Sequence, residues 1–272
     1  MNRYIISVLL LSVVSFSVHA EPTVTTGTAE VQPAEVTGAS RLGPSPFVGY
    51  APMTPVNLMN LYWKSGIFKP GNDQTITEYI QAAACDQYQK KFKDDFAWPE
   101  MIKTTRSYIT NHSQKFATMF SVIQPVALGR YIPDEKIFQI SDDTGFRNVR
   151  RMIFADFQQT SGFCPRTPPP RSAPMQAAVA LGAGFSLTRI PMEPAFARQV
   201  IDFIDNRMKR TEVVNEKRDR FAYVKFFYTI RKFSETTDGI GTEVLFKGPY
   251  TLFVGRLDGY EMYADQQEKF LI

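Results

Sequence analysis

Two cysteines, Cys85 and Cys164, restrict the fold of this chain more than any other feature, because pairing them would tie together points 79 residues apart. Whether they pair depends on the compartment, and the N-terminus bears on that. Arg3 gives a short positive region, residues 5–14 run apolar, and from Ser15 the sequence turns smaller and more polar, the tripartite pattern of an export signal. Val18 and Ala20 are small residues at the positions a signal peptidase reads, so residues 1–20 are expected to be removed near Ala20. The apolar run is shorter than the roughly 20 residues that a spanning helix needs. In an oxidising compartment an even cysteine count reads first as a disulfide. In the loop-entropy picture a crosslink of this span contributes roughly 4 kcal/mol. The competing reading is two free thiols, one of them a nucleophile.

Charge argues against a polyanionic partner. The chain carries a formal +4, which falls to +3 when Arg3 leaves with the signal. Its densest basic stretch, residues 207–220, also holds Glu212, Glu216 and Asp219. Such mixed patterning is that of a solvated face, so no nucleic-acid partner is expected. Beyond residue 20 no apolar run approaches spanning length, and no transmembrane segment is expected in the mature chain. Residues 21–53 are rich in Pro, Gly, Thr and Ala without a helical or strand period, and read as a flexible leader. Residues 54–272 then read as one globular α+β domain, with helices grouped early and an antiparallel sheet with hairpins late.

The element pattern supports that division. Thr54-Pro55 is a cap and first-turn pair, followed by Leu58, Leu61 and Tyr62 at helical spacing. After Pro70-Gly71 a second helix is predicted through Cys85 and Tyr88 to about Phe92, and a third from Trp98-Pro99. Strands are predicted over 116–122, 136–140 and 149–157, as antiparallel neighbours. A proline-dense loop follows over 158–174, then a strand over 184–190 and a helix from Pro194 with Phe196, Val200, Phe203, Ile204 and Met208 on one side. The last third is predicted as sheet: 221–233, 243–246 after Asp238-Gly239, and 250–256 with 260–263 as a hairpin around Leu257-Asp258-Gly259.

Reactive side chains are scarce. His19 leaves with the signal, so His112 is the only imidazole of the mature chain, which excludes a multi-histidine metal site. It sits in Asn111-His112-Ser113, a polar helix end that also matches a glycosylation sequon. No nucleophile elbow, phosphate loop or dinucleotide fingerprint occurs, and no cofactor or metal is expected. The enzymatic option the sequence leaves open is a carboxylate pair across a groove, with Asp94, Asp95, Asp156, Asp202 and Glu261 as candidates. Phe221, Tyr223, Phe226, Phe227 and Tyr228 fall on both faces of one predicted strand, which is either covered twice or turns one aromatic face to a partner.

Leu61-Tyr62-Trp63-Lys64, Cys85-Asp86 with Tyr88, residues 96–106 (FAWPEMIKTTR), and Gln124-Pro125 with Leu128-Gly129-Arg130 resemble a family of exported bacterial proteins catalogued as a domain of unknown function. The resemblance implies a cell-envelope address, periplasmic or secreted, and carries no active site with it. The expectation is an exported, disulfide-bonded binding or interaction module whose partner is an envelope protein or glycan. The alternatives are a carboxylate-based hydrolase of envelope glycans and an accessory subunit of a secretion or surface machine.

Overall fold

The computed structural model describes residues 45–157, 163–165, 167–168, 170–210, 220–237, 246 and 248–272. The predicted export signal, most of the predicted leader, the predicted Asp238-Gly239 turn and nearly all of the predicted 243–246 strand lie outside the described residues. All described residues belong to one compact unit, Thr37–Ile272.

Helices lead the domain, as the sequence predicts. Thr54 caps α1 (Pro55–Lys64), its Oγ1 accepting the Asn57 amide at 3.2 Å. Asn72 caps α2 (Asp73–Ala83), and Asp94 accepts the Phe96 and Ala97 amides at the start of α4 (Ala97–His112). The predicted second helix is two helices. Ala84, at φ −149°, leaves helical geometry and separates α2 from α3 (Cys85–Lys91). Nothing local in the Ala-rich sequence announces this break. It coincides with the Cys85–Cys164 disulfide, whose Cα atoms lie 5.3 Å apart. That bond draws the first residue of α3 onto the proline-rich loop, and the Glu78 carboxylate fastens the same loop by accepting the Arg171 and Ser172 amides at 2.9 and 3.2 Å.

The sheet is mixed, and more curled than hairpins alone would make it. Its strands are β1 (Ala51–Pro52), β2 (Met119–Ile132), β3 (Ile137–Ile140), β4 (Phe146–Asp156), β5 (Gln176–Leu187), β6 (Arg189–Pro191), β7 (Arg220–Thr237) and β8 (Tyr250–Tyr263). They run in the order β4-β5-β8-β7-β2-β3-β6, with β1 joined to β2. Most pairs are antiparallel, but β5–β8 and β1–β2 are parallel. β4 pairs with β5 rather than with β3, so the predicted early strands do not form one meander.

The connections force the two ends of this sheet together. Only Thr188 separates β5 from β6, and only residues 141–145 separate β3 from β4, yet each pair stands at opposite ends of the strand order. The curl therefore approaches a barrel. Its seam lies between β2 and β4, where the Gln124 amide donates to the Ile153 carbonyl (2.7 Å) and Thr144 Oγ1 accepts the Ala127 amide (2.9 Å). Three register shifts along β7–β8 and three along β4–β5 supply the local twist.

The interior is aromatic. Phe154 meets Phe120, Tyr228 and Phe253 at centroid distances of 5.6, 5.8 and 6.3 Å, and Phe146 meets Phe226 at 5.1 Å. These rings come from β2, β4, β7 and β8, so the curl is filled by edge-to-face contacts, each adding about 0.5–1.5 kcal/mol beyond its buried area. Helix α1 closes onto this core with Leu58, Met59, Leu61, Tyr62 and Trp63 buried. Tyr62 stacks on Phe253 and donates its hydroxyl to the Pro174 carbonyl at 2.5 Å. Helix α5 (Pro194–Arg210) buries Ala197, Val200 and Ile204, with Phe196 and Phe203 stacked on Phe270.

The predicted hairpin at Leu257-Asp258-Gly259 is absent. β8 runs unbroken past it, with Phe227 opposite Gly259 and Tyr228 opposite Leu257, so Asp258 is the extra residue of a β-bulge. β5 begins well before the predicted residue 184 because Ala177, Ala178 and Val179, poor advertisers of a strand, are buried where β5 lies between β4 and β8.

Replacing both cysteines (Cys85→Ser with Cys164→Ser) is expected to lower stability by roughly 4 kcal/mol and the melting temperature by roughly 8–16 °C. Calorimetry of the oxidised natural chain and the double variant checks this, and equal melting temperatures would remove the staple from the account.

Candidate functional site

Asp258 and Gly259 organise the outer face of the sheet. Asp258 Oδ2 accepts the Thr229 hydroxyl (2.5 Å) and the Tyr50 hydroxyl (2.9 Å), and Oδ1 accepts Arg256 Nε. Burial opposes the carboxylate's charge. The hydrogen bonds from Thr229, Arg256 and Tyr50, with the Arg256 charge, outweigh it and hold Asp258 below the ordinary carboxylate range. Gly259 leaves room for a ring: a Cβ there would stand 2.3 Å from Phe47 Cζ. Phe47 stacks on Phe227 at 4.0 Å, and Tyr50 meets Phe227 edge-on at 5.2 Å. The leader, predicted to extend to Met53, therefore gives up its last residues to the fold: Ser45, Phe47 and Tyr50 form a strap across β8 and β7 that ends in β1, paired with β2.

Beside the strap lies a cluster of one ion pair and one hydroxyl-bonded carboxylate. Cross-strand register puts Ser121, Phe227 and Gly259 in one row, Ile123, Lys225 and Glu261 in the next, and Pro125, Tyr223 and Tyr263 in a third. Lys225 is ion-paired with Glu268 and lies 5.6 Å from the Phe227 ring centroid. Glu261 accepts the Ser45 and Tyr263 hydroxyls, each at 2.6 Å. Burial, and then the Glu261 carboxylate, push the Tyr263 phenol well above its usual value. The same rows border a groove of about 340 Å³ lined by Ile123, Pro125, Phe221, Tyr223 and Gln266.

A second concentration of features lies at the α3–α4 corner. Tyr88, Phe92 and Trp98 pack mutually, with ring centroids 4.7 to 5.6 Å apart. Phe92 and Phe96 are nevertheless 45% and 91% exposed, and Tyr108 further along α4 is 47% exposed. A shallow depression of about 550 Å³ between α2, α3 and the proline-rich loop is lined by Gln74, Glu78, Tyr88, Phe92, Pro168 and Arg171.

The sequence candidates are dispersed. Asp94 caps α4, and hydrogen bonds from the Ala97 and Phe96 amides keep its carboxyl low. Asp95 is exposed beside it, Asp202 is exposed on α5, and Asp156 accepts the Gln176 amide at 3.0 Å where β4 and β5 pair. Glu261 alone of the five lies in the outer-face cluster. His112 places Nδ1 2.8 Å from the Tyr108 carbonyl and stacks on that ring, engaged with its own helical turn. Of the β7 aromatics, Phe226, Phe227 and Tyr228 are buried, while Phe221 and Tyr223 are partly exposed as walls of the groove. Sequence reasoning did not find Lys225, Asp258, Tyr263 or Glu268 as site residues. The Asp-Gly pair was the available signal, and it marks a bulge instead of a turn.

Gly259→Ala is expected to cost about 1–3 kcal/mol by forcing the Phe47 ring away. In a Phe47→Ala background the same change should cost under about 0.5 kcal/mol. Urea unfolding of the four chains checks the coupling, and equal costs in both backgrounds would contradict the strap's seat.

No curated protein and no solved structure matches this chain. One family match covers α2 to most of α5, including the α3–α4 corner, and stops before β7 and β8. Residues 72–206 match the model of the family described as Domain of unknown function (DUF4852), a family of unknown function as the sequence resemblance indicated.

Proposed function

We propose that this chain is an exported cell-envelope protein, periplasmic or secreted, that acts as a non-catalytic interaction module through its α3–α4 corner. The observation that carries the reading is the exposure of Phe96, at 91%, beside the packed Tyr88, Phe92 and Trp98. A phenylalanine left in water forgoes roughly 1.5–3 kcal/mol of burial. Here Asp94 holds the backbone amide of Phe96, so the ring is kept at the corner. Phe120, Phe154, Phe226, Tyr228 and Phe253, by contrast, are sealed in the core. Exposed aromatics that cluster on one face are a feature of contact surfaces. The Cys85–Cys164 disulfide supports the export half of the reading, since such bonds persist in oxidising compartments. No helix among the described residues is long and apolar enough to cross a membrane.

A second reading, a carboxylate-based hydrolase of envelope glycans, draws on one observation. Glu261 and Glu268 both act on Tyr263 beside the outer-face groove. Two nearby acids are the minimum for glycoside hydrolysis.

A photo-crosslinking residue placed at position 96 and, as a control, at exposed position 202 tests the proposal in fractionated cells. The expected outcome is recovery in the envelope fraction, with a discrete adduct from position 96 that position 202 does not give. Recovery with cytoplasmic markers, or no adduct from position 96, would overturn it. Clearing of peptidoglycan by the natural chain that Glu261→Gln abolishes would replace it with the hydrolase.

A further inference from the structure

The outer face of β2, β7 and β8 has the makings of a ligand site that the α3–α4 contact face does not use. β7 is hydrogen-bonded on both sides, to β2 and to β8, so a ligand there cannot add as a strand and must be held by side chains alone. The groove's walls are two partly exposed aromatic rings, Phe221 and Tyr223, with Ile123 and Pro125 beside them and the exposed Gln266 amide at the rim. Arg207 lies against Tyr223, its guanidinium carbon 5.4 Å from the ring centroid, and also donates to the Phe221 carbonyl at 3.0 Å, which braces this wall. The groove, about 340 Å³, falls at the small end of the range of about 300–1,000 Å³ usual for ligand sites.

The polar groups along the neighbouring row decide what kind of ligand fits. Lys225 is already matched by Glu268, so the row offers no free cation to an anionic ligand. Glu261 already takes hydroxyl hydrogens from Tyr263 and Ser45, an arrangement in which a carboxylate is solvated by hydroxyl groups. A carboxylate has about four acceptor positions, and two remain for further hydroxyls. Gln266 offers both a donor and an acceptor. Flat aromatic walls beside a hydroxyl-accepting carboxylate and an amide suit a ring with an apolar C–H face and an equatorial rim of hydroxyls.

From this arrangement we propose that the groove is a saccharide-binding site, with Tyr223 and Phe221 stacking on a sugar ring and Glu261 and Gln266 bonding its hydroxyls. The strap borders the site through the Ser45–Glu261 bond, so part of the binding surface is contributed by the residues that immediately precede the first helix. None of these residues belongs to the α3–α4 corner, and the two proposals stand or fall separately.

Isothermal titration calorimetry of the full mature chain tests it with four soluble probes: chitotetraose, cellotetraose, maltotetraose and the peptide-free disaccharide of N-acetylglucosamine and N-acetylmuramic acid. At least one probe is expected to bind at one site per chain. Tyr223→Ala should weaken that binding by about 10-fold, the size of a lost stacking contact together with its buried area. Glu261→Gln should weaken it several-fold, and Phe96→Ser should leave it unchanged. If Tyr223→Ala does not fold, Ile123→Trp, which fills the groove and leaves Phe221, Tyr223, Glu261 and Gln266 in place, carries the same expectation. The proposal is overturned if no probe binds with a Kd below about 10 mM. It is equally overturned if binding persists unaltered in a folded Tyr223→Ala or Ile123→Trp chain.

Discussion

Over residues 223–229 strand β7 is paired along both edges, and at Phe226, Phe227 and Tyr228 it is buried on both faces; the rest of the domain is arranged around that fact. Its inward residues, among them Phe226 and Tyr228, join rings from β2, β4 and β8, and its outward Phe227 lies under Phe47 of the strap. A strand apolar on both sides cannot be left at the margin of a sheet. Curling the sheet around its inner rings and laying a strap on its outer ring satisfies both faces. Bulges in the β7–β8 and β4–β5 ladders provide the twist, and the short links through Thr188 and residues 141–145 hold the ends of the sheet together.

The legible parts of the fold were those governed by local chemistry. The Thr54-Pro55 cap and the Pro194 start of α5 each rest on a few neighbouring residues, and each stands where its sequence says. The disulfide was legible from the even cysteine count read with an expected oxidising compartment. What was not legible depended on distant partners. Ala84 breaks a helix beside a bond to Cys164, the alanines of β5 form a strand because β4 and β8 flank them, and Leu257-Asp258-Gly259 stays extended because Asp258 is held by Thr229 and Tyr50. An Asp-Gly pair favours a turn by intrinsic preference, a weak bias that three hydrogen bonds to Asp258 override.

The candidate sites follow the same division. Glu261 was visible as one acid among several, with Tyr263 two residues along its own strand, but Lys225 and Glu268 come beside it only through strand pairing and the turn after β8. The exposed Phe96 was visible only as part of a family-like stretch, because exposure is a property of packing. The strap was hidden for a related reason: residues 45–53 look like the end of a flexible leader until Gly259 and Phe227 are brought beneath Phe47.

The bulge, the strap seat and the outer face are all built on β8 being one strand that follows β7 along its whole length. Proton–proton contacts measured by nuclear magnetic resonance test this directly. A continuous β8 gives cross-strand contacts from Phe227 to Gly259, Tyr228 to Leu257 and Tyr223 to Tyr263. Contacts from Arg256 to Tyr260 and from Val254 to Met262, the pattern of a hairpin turning at residues 257–259, would contradict it.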